Sequence, residues 1–268
     1  MKIISWNING YRSVSGQNPS RKYDKITKEN KLFEYIEKES PDILCMQEIK
    51  ADVEQIKPEL LCPEGYHSFY NPAKSKKGYS GVAVFSREKP RSVKMGLGID
   101  RFDIEGRILE LDFEDFIIFN IYFPKGYADS DRLEYKLDFY DALFEYTEKL
   151  KKQGKKLIIS GDYNTAHKEI DLARPKQNVG TSGFMPIERL KLDRLADNGY
   201  IDTFRAVVSE GGHYTWWSQR GRARENNVGW RIDYHFVTDN LSGKIRNALQ
   251  QPDQEGSDHC PVVLEMDL

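Results

Sequence analysis

Cysteine is scarce in this chain of 268 residues: Cys45, Cys62 and Cys260 are odd in number, and no two of them form a C-x-x-C pair. A chain of this length does not need disulfide staples, so all three are read as reduced thiols. Long apolar runs are missing too. The densest, Phe116 to Phe123, is eight residues long and contains Asn120, far short of the ~20 that cross a bilayer, so no membrane partner is expected. The first residues, Met-Lys-Ile-Ile-Ser-Trp-Asn, reach Asn7 and Asn9 before the apolar core of a signal peptide can form, and a cytoplasmic location is expected. Neither sign of charge dominates: 40 Lys and Arg stand against 42 Asp and Glu, a formal net charge of −2. That excludes attraction of a polyanion by bulk charge. Internal repeats, low-complexity tracts and Gly/Ser linkers are absent as well, and the expectation is one compact domain over residues 1–268.

What the chain has is aromatic weight, 12% of residues, too much for a disordered protein. Runs rich in Ile, Val, Phe and Tyr recur at Lys2 to Ile8, Asp42 to Gln47, Gly81 to Ser86, Arg107 to Phe113, Phe116 to Tyr122, Lys156 to Ser160, Trp230 to Val237 and Val262 to Met266, and read as strands. Only Glu114 and Asp115 separate two of these runs, which predicts an antiparallel hairpin. Helical spacing is clearest from Asp131 to Gln153, with Leu133, Leu137, Tyr140, Phe144 and Thr147 on one face. Ser130 or Asp131 can cap its start, three late lysines suit its end, and Gly154 follows. A second helix is predicted from Pro186 to Gly199 and a third over Asp24 to Lys38. The inventory fits an α/β protein with two mixed β-sheets packed face to face and helices outside.

Five strand-like runs carry or end in a hard polar residue where an apolar one is expected: Asn7, Glu48, Asp162, Asp233 and Asp258. One such residue alone is ordinarily a turn cap; five at strand ends gather at a sheet edge. Oxygen donors without a thiolate cage suit Mg²⁺ or Mn²⁺ rather than zinc. Asp233, read as lying inside Trp-Arg-Ile-Asp-Tyr-His-Phe, requires a partner, because a buried unpaired carboxylate costs several kcal/mol. Asp258-His259 supplies one, the carboxylate fixing the imidazole's tautomer and favouring its protonated form. Asp162 and Asn164 stand at i and i+2, on one side of an extended chain, where one water contacts both. Tyr122 before Phe-Pro-Lys-Gly reads on its own as packing, and Lys50 as a surface charge.

Ser5-Trp-Asn-Ile-Asn-Gly-Tyr-Arg, Leu44-Cys-Met-Gln-Glu-Ile-Lys, Gly161-Asp-Tyr-Asn-Thr-Ala-His with Glu169-Ile-Asp-Leu-Ala-Arg-Pro, Trp216-Trp-Ser with Asn227-Val-Gly-Trp-Arg-Ile-Asp-Tyr, and Gly256-Ser-Asp-His-Cys-Pro together resemble the exonuclease III family of apurinic/apyrimidinic (AP) endonucleases. The five blocks run in the family's order over residues 3–268, and the wider superfamily includes DNase I and inositol polyphosphate phosphatases. The resemblance implies a four-layer α/β sandwich that hydrolyses phosphodiesters with a divalent metal. It implies Glu48 as the principal Mg²⁺ ligand, Asn7 and Asp258 near the metal, and Asp162 with Asn164 holding the attacking water, these two and His259 lying within reach of the metal. His259 would donate to a phosphate oxygen, Asp233 orient it, and Tyr122 contact the phosphate. The chain departs from the family's Pro-Asn-Gly at Pro124-Lys125-Gly126, where Lys125 offers the phosphate a cation instead of an amide.

From His213 to Ile232, Arg220, Arg222, Arg224 and Arg231 oppose only Glu225, a local +3, with Trp216, Trp217 and Trp230 interleaved. Basic and aromatic residues together suit DNA; the alternative reading is that the tryptophans are core and the arginines a solvated face. The resemblance implies that Trp216, Trp230 and Ile232 receive a flipped abasic sugar and that Arg220 sits on a loop inserted into the duplex; a lost base makes that flip cheaper. Lys74, Lys76, Lys77, Arg87, Lys89 and Arg91 read equally as a second candidate phosphate contact and as a plain solvated face. The implied partner is double-stranded DNA with abasic sites or 3′ blocks, the chain acting as a monomer and, in a prokaryote, near the nucleoid. A phosphatase of small phosphorylated molecules would leave the tryptophans and arginines without purpose, and a DNA-binding protein without catalysis would need a broken ligand position, whereas none is broken. The acidic residues from Asp100 to Asp115 are expected to lie away from Asp162, so that near-neutral total charge coexists with a positive site.

Overall fold

The computed structural model describes residues 1–18, 20–22, 25–27, 29–127 and 131–268. In chain order its strands are β1 (Lys2–Asn7), β2 (Ser20–Lys22), β3 (Lys25–Thr27), β4 (Ile43–Gln47), β5 (His67–Asn71), β6 (Val82–Ser86), β7 (Ser92–Met95), β8 (Ile108–Asp112), β9 (Ile117–Tyr122), β10 (Leu157–Asp162), β11 (Tyr200–Asp202), β12 (Trp216–Trp217), β13 (Gly229–Trp230), β14 (Asp233–Thr238), β15 (Ile245–Gln250) and β16 (Val262–Met266). The helices are α1 (Tyr11–Val14), α2 (Lys31–Glu39), α3 (Asp100–Asp103), α4 (Asp131–Lys152), α5 (Pro175–Asn178), α6 (Pro186–Asp197) and α7 (Thr203–Val207).

Two six-stranded sheets have the orders β15-β16-β1-β4-β6-β5 and β11-β14-β10-β9-β8-β7. Each holds one parallel pair, β1 with β4 and β9 with β10, and antiparallel neighbours otherwise. The predicted hairpin forms, Ile108 opposite Ile121 and Asp112 opposite Ile117.

Successive side chains on these strands go to different layers. Ile3, Cys45, Val84, Ile118 and Ile158 fill the space between the sheets. Ile4, Leu44 and Phe85 face outward onto Leu32, Tyr35 and Ile36 of α2. Ile159, Ile121 and Phe119 face outward onto Phe139, Tyr140 and Leu143 of α4 and Leu192 and Leu195 of α6. Burial on both faces explains why the central strands read as continuous apolar runs. Each fully buried side chain of this kind contributes about 1.5–3 kcal/mol. The result is the four-layer sandwich expected.

The helix ends follow their capping chemistry. Gly154 and Gly199 leave α4 and α6 at φ 79° and 78°. The third helix is shorter than the expected Asp24 to Lys38: it begins at Lys31, because the Asn30 side chain accepts the Phe33 N–H at 3.0 Å. Residues 20–22 and 25–27 pair as strands instead, and Asp24, like Ser130, lies outside the described residues. The α4 face is also rotated from the expected one. Lys136, Phe139, Tyr140, Leu143, Phe144 and Thr147 are buried, while Leu133 and Leu137 are half-buried. Among the described residues no helix is long and apolar enough to cross a membrane.

Candidate active site

The polar strand ends converge because the strands that carry them terminate on one edge. Parallel β1 and β4 put Asn7 beside Gln47, with Glu48 next in the chain; parallel β9 and β10 put Tyr122 beside Asp162; antiparallel β14 brings Asp233 opposite Asp162. The structure corrects the placement of Asp233, which does not interrupt a strand. The run breaks at Arg231-Ile232, and Asp233 is the first residue of β14. Gly161 sits between Ser160 and Asp162 at φ 148°, where a Cβ would fall 1.8 Å from the Ile121 carbonyl oxygen, so the close approach of β10 to β9 requires glycine there.

Asn7 Nδ2 donates to both Glu48 Oε1 at 2.9 Å and Asp162 Oδ2 at 2.8 Å, joining the two sheets. His259 Nδ1 lies 2.9 Å from Asp233 Oδ2, and its Nε2 lies 3.9 Å from Asp162 Oδ2. The other Asp233 oxygen is buried without a hydrogen-bond partner. Asn164 adopts φ 49°, so the chain turns there instead of running extended. The turn returns the Asn164 N–H to Asp162 Oδ1 at 2.8 Å, while Nδ2 donates to Phe123 O at 2.9 Å and lies 3.4 Å from Asp162 Oδ2. Asp258 stands aside from Asp233: its oxygens accept Asn9 Nδ2 at 2.7 Å and Trp216 Nε1 at 3.1 Å.

These contacts set the charges. Burial works against the His259 cation, but Asp233 and Asp162 outweigh it and push the imidazole up to about 10, so both ring nitrogens carry protons at neutral pH. Burial and the Asp233 charge push Asp162 up to about 7, opposed by His259. Burial also opposes ionisation of Glu48, yet Lys50 and the Asn7 amide hold it below the usual carboxylate range. Burial and the nearby Glu48 carboxylate raise the Tyr122 phenol well above its ordinary value, so it remains a donor.

The site has room for a cation. Ligand atoms of Glu48, Asp162 and His259 all lie within 4.8 Å of one another. The Lys50 ammonium, 2.6 Å from Glu48 Oε2, already places positive charge on that carboxylate. Carboxylate and amide oxygens with no thiolate fit a hard divalent ion. Lys50 is therefore part of the site and not a plain surface charge. Asn9, which accepts from Lys50 and donates to Asp258, was overlooked in the sequence although Asn7-Ile-Asn9 repeats a polar residue at i+2. Arg107, 2% exposed, was overlooked as well; it donates to the Tyr122 carbonyl at 2.9 Å and lies 4.6 Å from the Tyr122 ring centre.

A cleft of about 600 Å³ is lined by Glu48, Lys50, Tyr122, exposed Lys125, Asn164, Asp258 and His259 together with Trp216, Trp230 and Ile232, and Trp216 lies directly beside Asp258 and His259. Trp216 meets Trp230 edge-on at 6.4 Å, and both pack on Ile232 and Phe184. The basic segment divides. Arg231 is 1% exposed and paired with Asp171 and Asp202. Arg224 donates to Pro252 O, Gln254 O and Ser257 O and stacks 4.8 Å over buried Trp217. Arg220 and Arg222 are exposed. The expected local +3 is thus not a solvent-facing charge. The second basic run divides too: Lys74, Lys76 and Lys77 belong to the loop leading to β6, whose Val82 pairs with Gln47, while Arg87, Lys89 and Arg91 follow Ser86 at the far end. Asp112, Glu114 and Asp115 sit at the end of β8 away from Tyr122, and Glu105 is neutralised by Arg107 and Arg132.

A sequence model of the Endonuclease/Exonuclease/phosphatase family matches residues 4–259. An exodeoxyribonuclease of Bacillus subtilis is 42% identical over 265 residues, 98% of each chain. A DNA-(apurinic or apyrimidinic site) endonuclease of Dictyostelium discoideum is 38% identical over all of this chain and 71% of its own length. Among solved structures, an AP endonuclease from Archaeoglobus fulgidus superposes with a TM-score of 0.86 at 26% identity, and a 3′ phosphatase from Neisseria bound to a product DNA hairpin with 0.87 at 27%, each over all of both chains.

Proposed function

Since the chain belongs to the Endonuclease/Exonuclease/phosphatase family, we propose that it is a DNA-repair nuclease that hydrolyses the phosphodiester 5′ to an abasic site in double-stranded DNA and leaves a 3′-hydroxyl. Removal of 3′ blocks and 3′ to 5′ exonuclease action use the same groups. The observation that carries this reading is the shared cleft: Trp216, Trp230 and Ile232 offer an apolar surface to the same space of about 600 Å³ that Glu48, Tyr122, Asn164 and His259 line, with Asp162 and Asp233 hydrogen-bonded directly behind Asn164 and His259. A substrate with an intact base must unstack it first, at a cost of a few kcal/mol.

The residues divide the work. Asp162 Oδ2, beside the Asn164 amide, accepts the proton of an attacking water and aligns it. Asn7 and the Asn164 N–H hold that carboxylate in place. His259, kept protonated by Asp233, directs its Nε2 proton at a non-bridging phosphate oxygen, and the Tyr122 hydroxyl and Lys125 ammonium are further donors to the phosphate. Exposed Arg220 reaches the duplex. We assign a Mg²⁺ site to Glu48 with Asn7 and Asp258 nearby; Mn²⁺ fits the same oxygens. When bound, the ion supplies positive charge against the phosphate. Protonated His259 then belongs with the phosphate more than with the ion. The protein works as one domain and as a monomer, in the cytoplasm or prokaryotic nucleoid where its substrate lies.

Product mapping on matched abasic, 3′-blocked and undamaged duplexes, with Mg²⁺ or EDTA, tests the reading. We expect cutting 5′ to the abasic site, release of 3′ blocks, slower attack on undamaged ends, and loss of all three in EDTA. An uncut abasic duplex in Mg²⁺ would contradict the reading. So would equal cutting by Asp162→Asn, for which a loss of about 10³-fold is expected.

A further inference from the structure

Helix α4 buries a lysine and α6 a glutamate: the side chains of Lys136 and Glu188 are both 0% exposed, with Nζ 2.7 Å from Oε1. Two charges withdrawn from water are weak stabilisers at best, since apolar residues of similar volume serve as well or better. What they hold is more informative. Lys136 Nζ also donates to the Asn164 carbonyl at 2.7 Å. Glu188 Oε2 accepts the backbone N–H groups of Gly183 at 2.6 Å and Met185 at 3.1 Å, and Oε1 accepts the Ser182 hydroxyl at 3.2 Å. The lysine stem passes under Gly126, where an added Cβ would stand 3.4 Å from Lys136 Cδ.

Two cleft-lining segments are therefore hydrogen-bonded to one ion pair, the left-handed Asn164 turn that returns two donors to Asp162 and the loop 180–183 in front of Trp230, while the Lys125-Gly126 turn passes close over the lysine stem. The loop and the turn are also tied directly, Ala166 N to Gly183 O at 2.8 Å. Gly183, at φ 96°, packs tightly: a Cβ there would lie 3.2 Å from both Asn164 O and the Trp230 ring, so a side chain would strain the backbone and press on both.

We infer that Lys136 and Glu188 are positioning residues for the Asn164 turn, holding Asn164 and through it Asp162 against the wall that receives the sugar. Neither touches the substrate. This rests on the nuclease reading above, and an error of about 1 Å in such a geometry is enough to cost on the order of 10²-fold.

The test compares wild type, Lys136→Met, the charge-free pair Lys136→Met/Glu188→Gln, Asn164→Ala and Asn164→Ala/Lys136→Met in steady-state cleavage of the abasic duplex with Mg²⁺, alongside thermal melting. The charge-free pair leaves no unpaired buried charge and keeps an oxygen for the Gly183 and Met185 N–H groups, so it folds even if Lys136→Met does not. We expect kcat to fall about 10- to 100-fold in both Lys136 variants with KM little changed. In the Asn164→Ala background, which keeps the backbone carbonyl and N–H but lacks the Nδ2 donor, Lys136→Met should add a smaller loss than it causes alone, because the share acting through the side chain is already gone. An unchanged kcat in the folded charge-free pair overturns the inference, as does a loss in KM alone or a fully additive double variant. A wild-type protein that leaves the duplex uncut overturns the nuclease reading together with it.

Discussion

Strands β10 and β14 meet twice at polar residues, and the two meetings produce opposite histidines. At one rung Asp162 faces Asp233, which holds His259; two residues along, Ser160 faces His235. Both imidazoles are buried, at 4% exposure. His235 Nε2 donates to Val262 O at 3.0 Å and its Nδ1 accepts from the Ser160 hydroxyl at 2.7 Å, so both nitrogens are satisfied in the neutral ring. Burial then lowers His235 to about 4. His259 meets the same desolvation, but its neighbours are carboxylates and it rises to about 10. Burial therefore does not decide a histidine's charge; the partner's charge does.

The largest way to break this contrast is to neutralise the carboxylate. Asp233→Asn leaves an amide of the same shape beside His259, and kcat on the abasic duplex should fall about 100-fold. The alkaline limb of its pH profile moves as well. In wild type, activity is expected to rise as Asp162, pushed up to about 7, loses its proton and to fall as His259, pushed up to about 10, loses its own. Without Asp233 the falling limb should shift to lower pH, as a pH series of single-turnover rates would reveal. An unmoved limb would assign that proton to another group.

A smaller effect sharpens the neutral rung. His235→Gln should leave kcat unchanged but cost about 1–3 kcal/mol of stability through an incompletely satisfied buried pair, measurable as a denaturation midpoint. The two rungs also differ in how they link stability to pH. His259, raised above its ordinary 6.5, contributes stability that is fully present below that value and lost as pH rises through about 10. His235 is depressed, so between its ordinary 6.5 and about 4 the unfolded chain binds the extra proton and stability falls with falling pH.

The sequence made the charged rung legible and left the neutral one hidden, for a physical reason. Asp162, Asp233 and Asp258-His259 stand out because a carboxylate next to an apolar run demands a partner, and the hairpin and strand runs fix which edge they share. Ser160 and His235 demand nothing unusual, since each satisfies the other inside the sheet. Tertiary pairing hid the arginines in the same way: Arg231 looked solvent-facing until Asp171 and Asp202, distant in the chain, arrived beside it. Lys136 was obscured because a buried lysine makes sense only with Glu188, 52 residues away. Short edge strands such as β7, with exposed Ser92, Lys94 and Met95, carry no apolar alternation to read. Left-handed turns at Glu48, Lys50 and Asn164 set the site's geometry without the glycine that ordinarily announces them.

The central claim is that one pair of strands holds one histidine as a cation and the other as a neutral ring. An NMR titration of the imidazole signals in the metal-free protein, with His235→Gln and an Asp233→Asn sample to assign the two rings, measures this directly. The account predicts that His259 stays protonated until the pH approaches about 10 and that His235 stays neutral down to about 4. Both rings titrating together near 6.5 would contradict it.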